Sequence, residues 1–277
     1  MRPNRLRQLL NDNKPSLGIR ILNPWPAVTE LIGRSGAFDY GEFDGEYAPY
    51  DLFSLENLGR AIDLFPHLSG MMKVEQEPRT YLAIRSIGSG IQNVLFADPR
   101  TKADVEECVR AVRAETPATG GIHGVGMRRD VGYLFDVGTP AFVQALEDAV
   151  VAIMIEKKQA VENLDELLSV PGVDMVQFGA WDYAMSIGKP GQHELPEVRE
   201  TERYIIETAL ARGIHPRVET NSPDDIARYL DMGVKHFAAG SEIYFMYKWF
   251  ENQGMDIRKQ IGADTIDSDR AMSGYQR

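Results

Sequence analysis

Cysteine is almost absent from this chain. Cys108 stands alone, so no intramolecular disulfide can form and no thiolate metal site can be built within one copy. No run of about 18 apolar residues occurs, the length a membrane-spanning helix requires. The N-terminal MRPNRLRQLLNDNK is basic but lacks the apolar core of a signal peptide, and a cytoplasmic protein is expected. Positive charge is also scarce. Lys and Arg number 30 against 41 Asp and Glu, a formal net charge of −11, which argues against nucleic acid or an anionic membrane as the main partner. The five histidines, His67, His123, His193, His215 and His236, show no H-x-x-x-H spacing, so none is assigned a metal. The Gly-rich GGIHGVG does not lead a strand into a helix and is not read as a dinucleotide loop.

What is present is an alternation. Short apolar or β-branched runs recur at 16–22, 38–46, 70–75, 93–98, 150–156, 173–179, 214–220 and 234–240. Segments of helical periodicity separate them, among them KADVEECVRAVRAE and EVRETERYIIETALARG. Ser222-Pro223 followed by Asp224 and Asp225 opens one such segment, and Gly213 and Gly233 close two. Strands alternating with helices imply parallel pairing, and eight units in 277 residues predict a (β/α)8 barrel forming a single domain over 1–277. One long Gly-rich excursion, 116–140, is predicted to fold over the barrel mouth or to reach a neighbouring subunit.

In such a barrel the chemistry sits where strands end. The polar residues at those ends are Arg20, the trio Glu42, Asp44 and Glu46, then Lys73, Asp98, Glu156, Asp182, and the pair Arg217 and Glu219. Glu156 terminates the otherwise apolar VVAIMIE, and a carboxylate buried there needs a cation, a metal or a proton. Asp182 follows the next strand, at FGAWD. Two carboxylates from neighbouring strands can converge on a hard divalent ion and leave its other positions to water and an oxygen-rich substrate. Surface or salt-bridged acids are the competing interpretation.

The segments FDGEYAP, IMIEKKQAVENLDELLSVPGVDMVQFGAWDYAMSIG and MGVKHFAAGSE resemble the HpcH/HpaI aldolase family, in order and spacing, from about residue 16 to about 250. The resemblance implies a (β/α)8 barrel whose eighth helix is exchanged between subunits, assembled as dimers or hexamers. It implies a divalent metal (magnesium, manganese or cobalt) and cleavage or formation of a carbon–carbon bond beside a metal-bound enolate. Carried over residue by residue, the metal ligands fall on Glu156 and Asp182. The family's DGEHAP loop falls on Asp44 to Pro49, with Asp44 and Glu46 set to orient bound water and the groups around the metal.

Departures gather at the same place. Tyr47 stands where the family has its catalytic histidine, and a phenol with an ordinary pKa of about 10 is a poor base but a competent donor. Lys73 stands in for the arginine that polarises the keto group, keeping charge but losing the planar fork. Ser86 replaces the aspartate that partners the histidine, and Met154 replaces a glutamine. Bulky Trp181 and Tyr183 flank Asp182, and Arg20 takes a position that is often aromatic; all three are expected at the substrate. Arg217 is interpreted as an internal salt bridge or a substrate contact, and Arg128 and Arg129 as solvated or as holding an acidic substrate tail.

The function expected is therefore a metal-dependent carbon–carbon lyase acting on a 2-oxo acid or related enolisable carbonyl, with Lys73 offsetting enolate charge and Tyr47 or a metal-bound water handling the proton. The alternatives are a member reassigned to decarboxylate, hydrate or isomerise a different acid, an aromatic one included, and a binding protein without catalysis. The partners expected are a small-molecule carboxylate substrate and further copies of the chain. The aromatic-rich SEIYFMYKWFENQ would leave an apolar face uncovered in a monomer.

Overall fold

Eight short strands close into one parallel barrel in a computed structural model that describes residues 2–264. They are β1 (Ser16–Ile21), β2 (Tyr40–Asp44), β3 (Ser69–Val74), β4 (Asn93–Phe96), β5 (Val151–Ile155), β6 (Met175–Phe178), β7 (His215–Thr220) and β8 (His236–Ser241). Each pairs with its sequence neighbour, and β8 returns to β1. All eight predicted strands are present and the fold is the expected (β/α)8 barrel. The register sets Arg20 beside Glu42, Asp44 beside Lys73, and Gln177 beside Arg217.

The period of two along each strand sorts side chains between two environments. Outward-facing Ile19, Phe43, Met72, Val94, Ile153 and Val176 pack with the helices in one large apolar cluster. Inward-facing Tyr40, Met71, Leu95, Ala152 and Met175 form a second cluster inside the barrel. Gly18 is required there, because a Cβ would stand 2.2 Å from the Tyr40 ring. Toward the C-terminal end of the same inner face the residues become Glu42, Asp44, Lys73, Gln177 and Arg217, all buried. The acid at alternate positions of β2 thus lines the barrel interior.

The N-terminal segment has a role that its basic composition hides. Arg5–Asn11 is a helix, capped by the Asn4 side chain, and it buries Leu6 and Leu10 against the interior cluster. Arg7 fixes it with paired bonds of 2.7 and 2.6 Å to Asp174, just before β6. The foot of the barrel is thereby plugged.

The excursion at 116–140 lies at that same end, not over the mouth. It follows the helix Lys102–Val112, which ends at the N-terminal face, and it leads through the short helix Pro140–Glu147 into the start of β5, at that same face. Arg129 pairs with Asp63 and donates to the Ser89 carbonyl at 3.3 Å, both at helix C-termini. Arg128 lies against Gly88. Within one chain neither arginine can reach a substrate at the mouth. Ser86 is also at this end, since its carbonyl accepts from Ile91 N–H at 3.2 Å; it cannot partner Tyr47 in the same copy.

The final helix, Glu242–Gln260, is anchored by its first residue. The Glu242 carboxylate accepts from the amides of Leu22 at 2.8 Å and Asn23 at 2.7 Å. Beyond it no residue of the helix is buried, and Tyr247, Trp249, Phe250 and Ile257 are exposed. No described helix is long and apolar enough to cross a membrane.

Candidate active site

The C-terminal ends of the strands enclose a cavity of about 400 Å³. Arg20, Glu42, Lys73, Glu156, Asp182 and Arg217 all line it, brought together from six strands or the loops that follow them.

Glu156 is 3% exposed. Its Oε1 accepts from the Asp98 amide at 2.8 Å. Asp98 reaches that position in a left-handed backbone conformation, φ 51°, and its carboxylate is held by Arg100 Nε at 2.8 Å. Asp98 therefore serves through its amide. Gly179 completes the seat, because a Cβ there would stand 2.5 Å from Glu156 Cβ and 2.9 Å from its Oε2. Burial pushes the Glu156 carboxyl up to about 7, Lys73 opposing and Asp182 adding to the shift. Asp182 lies in the first turn of the helix Ala180–Ser186 and is paired with Lys157.

Lys73 is 3% exposed and is ion-paired with Glu46. Burial alone would lower its pKa, but the charges of Asp44 and Glu46 more than reverse this, and the ammonium stays charged. It stands 3.5 Å from the Tyr47 hydroxyl oxygen, a long contact, and 4.5 Å from the ring centroid. Burial raises the Tyr47 phenol above its ordinary value, with Lys73 opposing, so it remains protonated at neutral pH. Asp44 is wholly buried and neither of its carboxylate oxygens has a hydrogen-bond partner among the described residues; its nearest ion pair is Arg20 at 3.8 Å. Burial lifts it to about 6, opposed mainly by Lys73.

Below this level lies a closed ion-pair cluster. Arg217 pairs with Glu42, bonds Gln177, and donates to Tyr40 Oη at 2.7 Å. The Tyr40 hydroxyl donates onward to the Phe237 carbonyl at 3.0 Å. Arg217 is thus an internal salt bridge, with Glu42 as its partner. Arg20 pairs with Glu219 at 3.1 Å and remains partly exposed to the cavity.

A hard cation fits this donor set. Of the side chains lining the cavity, Glu42, Glu156, Asp182, Glu194, Glu202, Glu219 and Asp225 outnumber Arg20, Lys73, Arg199, Arg217 and Arg228 by two. Asp44 is a buried acid with unmet acceptors, and Glu156 and Asp182 face one space. No group of three or more His, Cys, Asp or Glu side chains converges as a ligand set among the described residues, so the protein would supply two ligands and leave the rest to oxygen from solvent and substrate.

Not every expected residue faces the cavity. Tyr183 packs on Phe178, centroids 5.3 Å apart, and its hydroxyl accepts from Thr201 Oγ1 at 3.2 Å, so it braces the helix Pro196–Ala211 and is not among the side chains lining the cavity. Trp181 and Tyr183 are two residues apart, about 200° around the helix axis, so the two rings leave the helix on opposite sides. Trp181 does line the cavity, 61% exposed and stacked on His193 at 3.6 Å. His193, Asn221 and Arg228 border it too. They lie on loops and helices without strand periodicity to mark them. Lys157 directly follows Glu156, but nothing in the sequence marks Asp182 as its partner.

Among known proteins, the chain is 28% identical over 241 residues to the 5-keto-4-deoxy-D-glucarate aldolase of Citrobacter koseri, covering 87% of this chain and 91% of the relative. The enzyme of that name from Escherichia coli O157:H7 is 27% identical over the same coverage. In fold it is similar to the citrate synthase SbnG, with a TM-score of 0.79, 24% identity, and coverage of 93% of this chain and 98% of that one. A family protein from Burkholderia cenocepacia superposes with a TM-score of 0.84 at 22% identity, covering 92% of this chain and 100% of that one. The HpcH/HpaI aldolase/citrate lyase pattern matches residues 66–246, more than half of the sequence. With the barrel closed and the strand-end acids in place, the chain belongs to this family of enzymes, the HpcH/HpaI aldolases and citrate lyases.

Proposed function

We propose that this chain is a divalent-metal-dependent carbon–carbon lyase acting on a 2-oxo acid, with Glu156 and Asp182 as its two metal ligands. The observation that carries this reading is a pair of strand-end carboxylates on one cavity in which acids exceed bases. Magnesium, manganese or cobalt bound there would supply the Lewis acidity that draws electron density toward the oxygens of a 2-oxo acid. The side chains do the remainder. Lys73, charged at the cavity floor, offsets negative charge developing on the substrate oxygen. Tyr47 holds or delivers the proton from its hydroxyl, which the nearby Lys73 ammonium polarises. Glu46 and Asp44 keep that ammonium charged and in place. Arg20 meets a substrate carboxylate, and Trp181 borders its carbon chain.

The curated relatives bear the name of an aldolase for 5-keto-4-deoxy-D-glucarate. A hydroxylated keto-acid of that kind is the substrate class to try first. The assembly we propose is a cytoplasmic homo-oligomer, a dimer or hexamer, in which another copy covers the bare face of Glu242–Gln260, by exchange of that helix.

Proton NMR of pyruvate in D2O tests the chemistry. Loss of the methyl signal that depends on added magnesium, and that vanishes in Asp182→Ala, is the expected result. No exchange, in protein that binds metal, would favour the second reading: decarboxylation, hydration or isomerisation of a different acid, for which the Trp181–His193 stack and Tyr47 in place of histidine speak. Protein that binds no metal at all would leave the non-catalytic binding role.

A further inference from the structure

The cation touching Asp182 belongs to the chain itself. Lys157 follows Glu156 at the exit of β5, and its ammonium is ion-paired with Asp182 Oδ1. The backbone is arranged to keep it there. The amide of Lys158 donates to Ser186 Oγ at 2.9 Å, and that hydroxyl donates to the Tyr183 carbonyl at 2.8 Å. The turn carrying Lys157 is thereby tied to the helix carrying Asp182. Neither side chain is freely solvated, at 20% and 31% exposure, so the pair is screened less than a surface one. Lys158, by contrast, points away to Glu162 at 3.6 Å, with both side chains well exposed.

A carboxylate oxygen that accepts from an ammonium is a weaker ligand for a second cation. One of its lone pairs is engaged, and the two positive charges repel across a short distance. We propose that Lys157 is an internal competitor for the metal. Its ammonium holds Asp182 Oδ1, and a divalent ion coordinating that carboxylate must either push the ammonium aside or bear its repulsion. The site consequently binds metal more weakly than its carboxylates alone would, and its occupancy follows the free metal concentration. This rests on the assignment of Asp182 as a ligand made above.

The test is calorimetric titration of Mn²⁺ into the full-length protein after chelator treatment and exchange into chelator-free buffer. The proteins compared are wild type, Lys157→Gln, Lys157→Met, Lys157→Arg, Lys158→Gln and Asp182→Asn, each checked by circular dichroism. Lys157→Gln and Lys157→Met should bind Mn²⁺ about tenfold more tightly than wild type. Lys157→Arg, which keeps the charge, and Lys158→Gln should stay within about threefold. Asp182→Asn should lose the site. If wild type binds, Asp182→Asn does not, and both neutral Lys157 variants bind no more tightly than wild type, the competition is overturned while the metal assignment stands. If wild type and the neutral variants alike fail to bind, the metal assignment falls and the competition with it.

Discussion

Glu156 is where burial and charge are most directly opposed. Its carboxyl is raised to about 7, so between about pH 4.5 and 7 the folded protein keeps a proton that the unfolded chain has released. Without metal, its contribution to stability is therefore greatest below that window and declines as pH rises through it. Glu156→Gln removes the titration. In chelator the variant should gain on wild type by on the order of 3 kcal/mol between pH 5 and 8, as read by urea denaturation at each pH. A gap that does not change with pH would show that Glu156 is not raised. Gly179→Ala tests the same seat sterically: the added methyl must push Glu156 aside, and we expect Mn²⁺ affinity to fall about tenfold or more at a stability cost of about 1–3 kcal/mol. For Tyr47, replacement by phenylalanine keeps the ring and removes the proton. If it is the proton carrier, the pyruvate exchange rate should fall about 100-fold or more with KM little changed; an unchanged rate would assign the proton to another group.

Among the elements, the N-terminal helix separates stability from chemistry. Leu6 is fully buried in the barrel's foot, whereas the acids and Lys73 lie at its opposite end. Leu6→Ala should cost about 2–5 kcal/mol in denaturant unfolding and leave Mn²⁺ affinity unchanged. A change in affinity would show that the plug sets the geometry of the mouth. The excursion illustrates how connection type constrains position. The segment 116–140 starts where one helix ends at the N-terminal face, is tied there by Arg129 to Asp63 and Ser89, and feeds β5 through only the short helix Pro140–Glu147, so composition alone could not carry it to the mouth of its own barrel.

At the scale of the whole molecule, the uncovered helix face is the feature one copy leaves unsolved. Trp249 and Phe250 are 62% and 63% exposed, far from what aromatic side chains usually show in a finished assembly. Replacing both with glutamate should shift the protein to a smaller species in sedimentation if that face joins copies; an unchanged mass would exclude it. The sequence by itself determined the barrel, since eight apolar runs separated by helical periods admit few other closures, and strand-end acids such as Glu156 and Asp182 are visible wherever an apolar run stops on a charge. Only the tertiary structure decided which cation meets which acid. Arg217 finds Glu42 from 175 positions away, Lys157 takes Asp182, and Tyr183 turns from the cavity while Trp181 lines it. The physical reason is that periodicity assigns a side chain to a face, whereas its partner is set by strand register, barrel closure and competition among charges that are distant in sequence and adjacent only once the chain has folded.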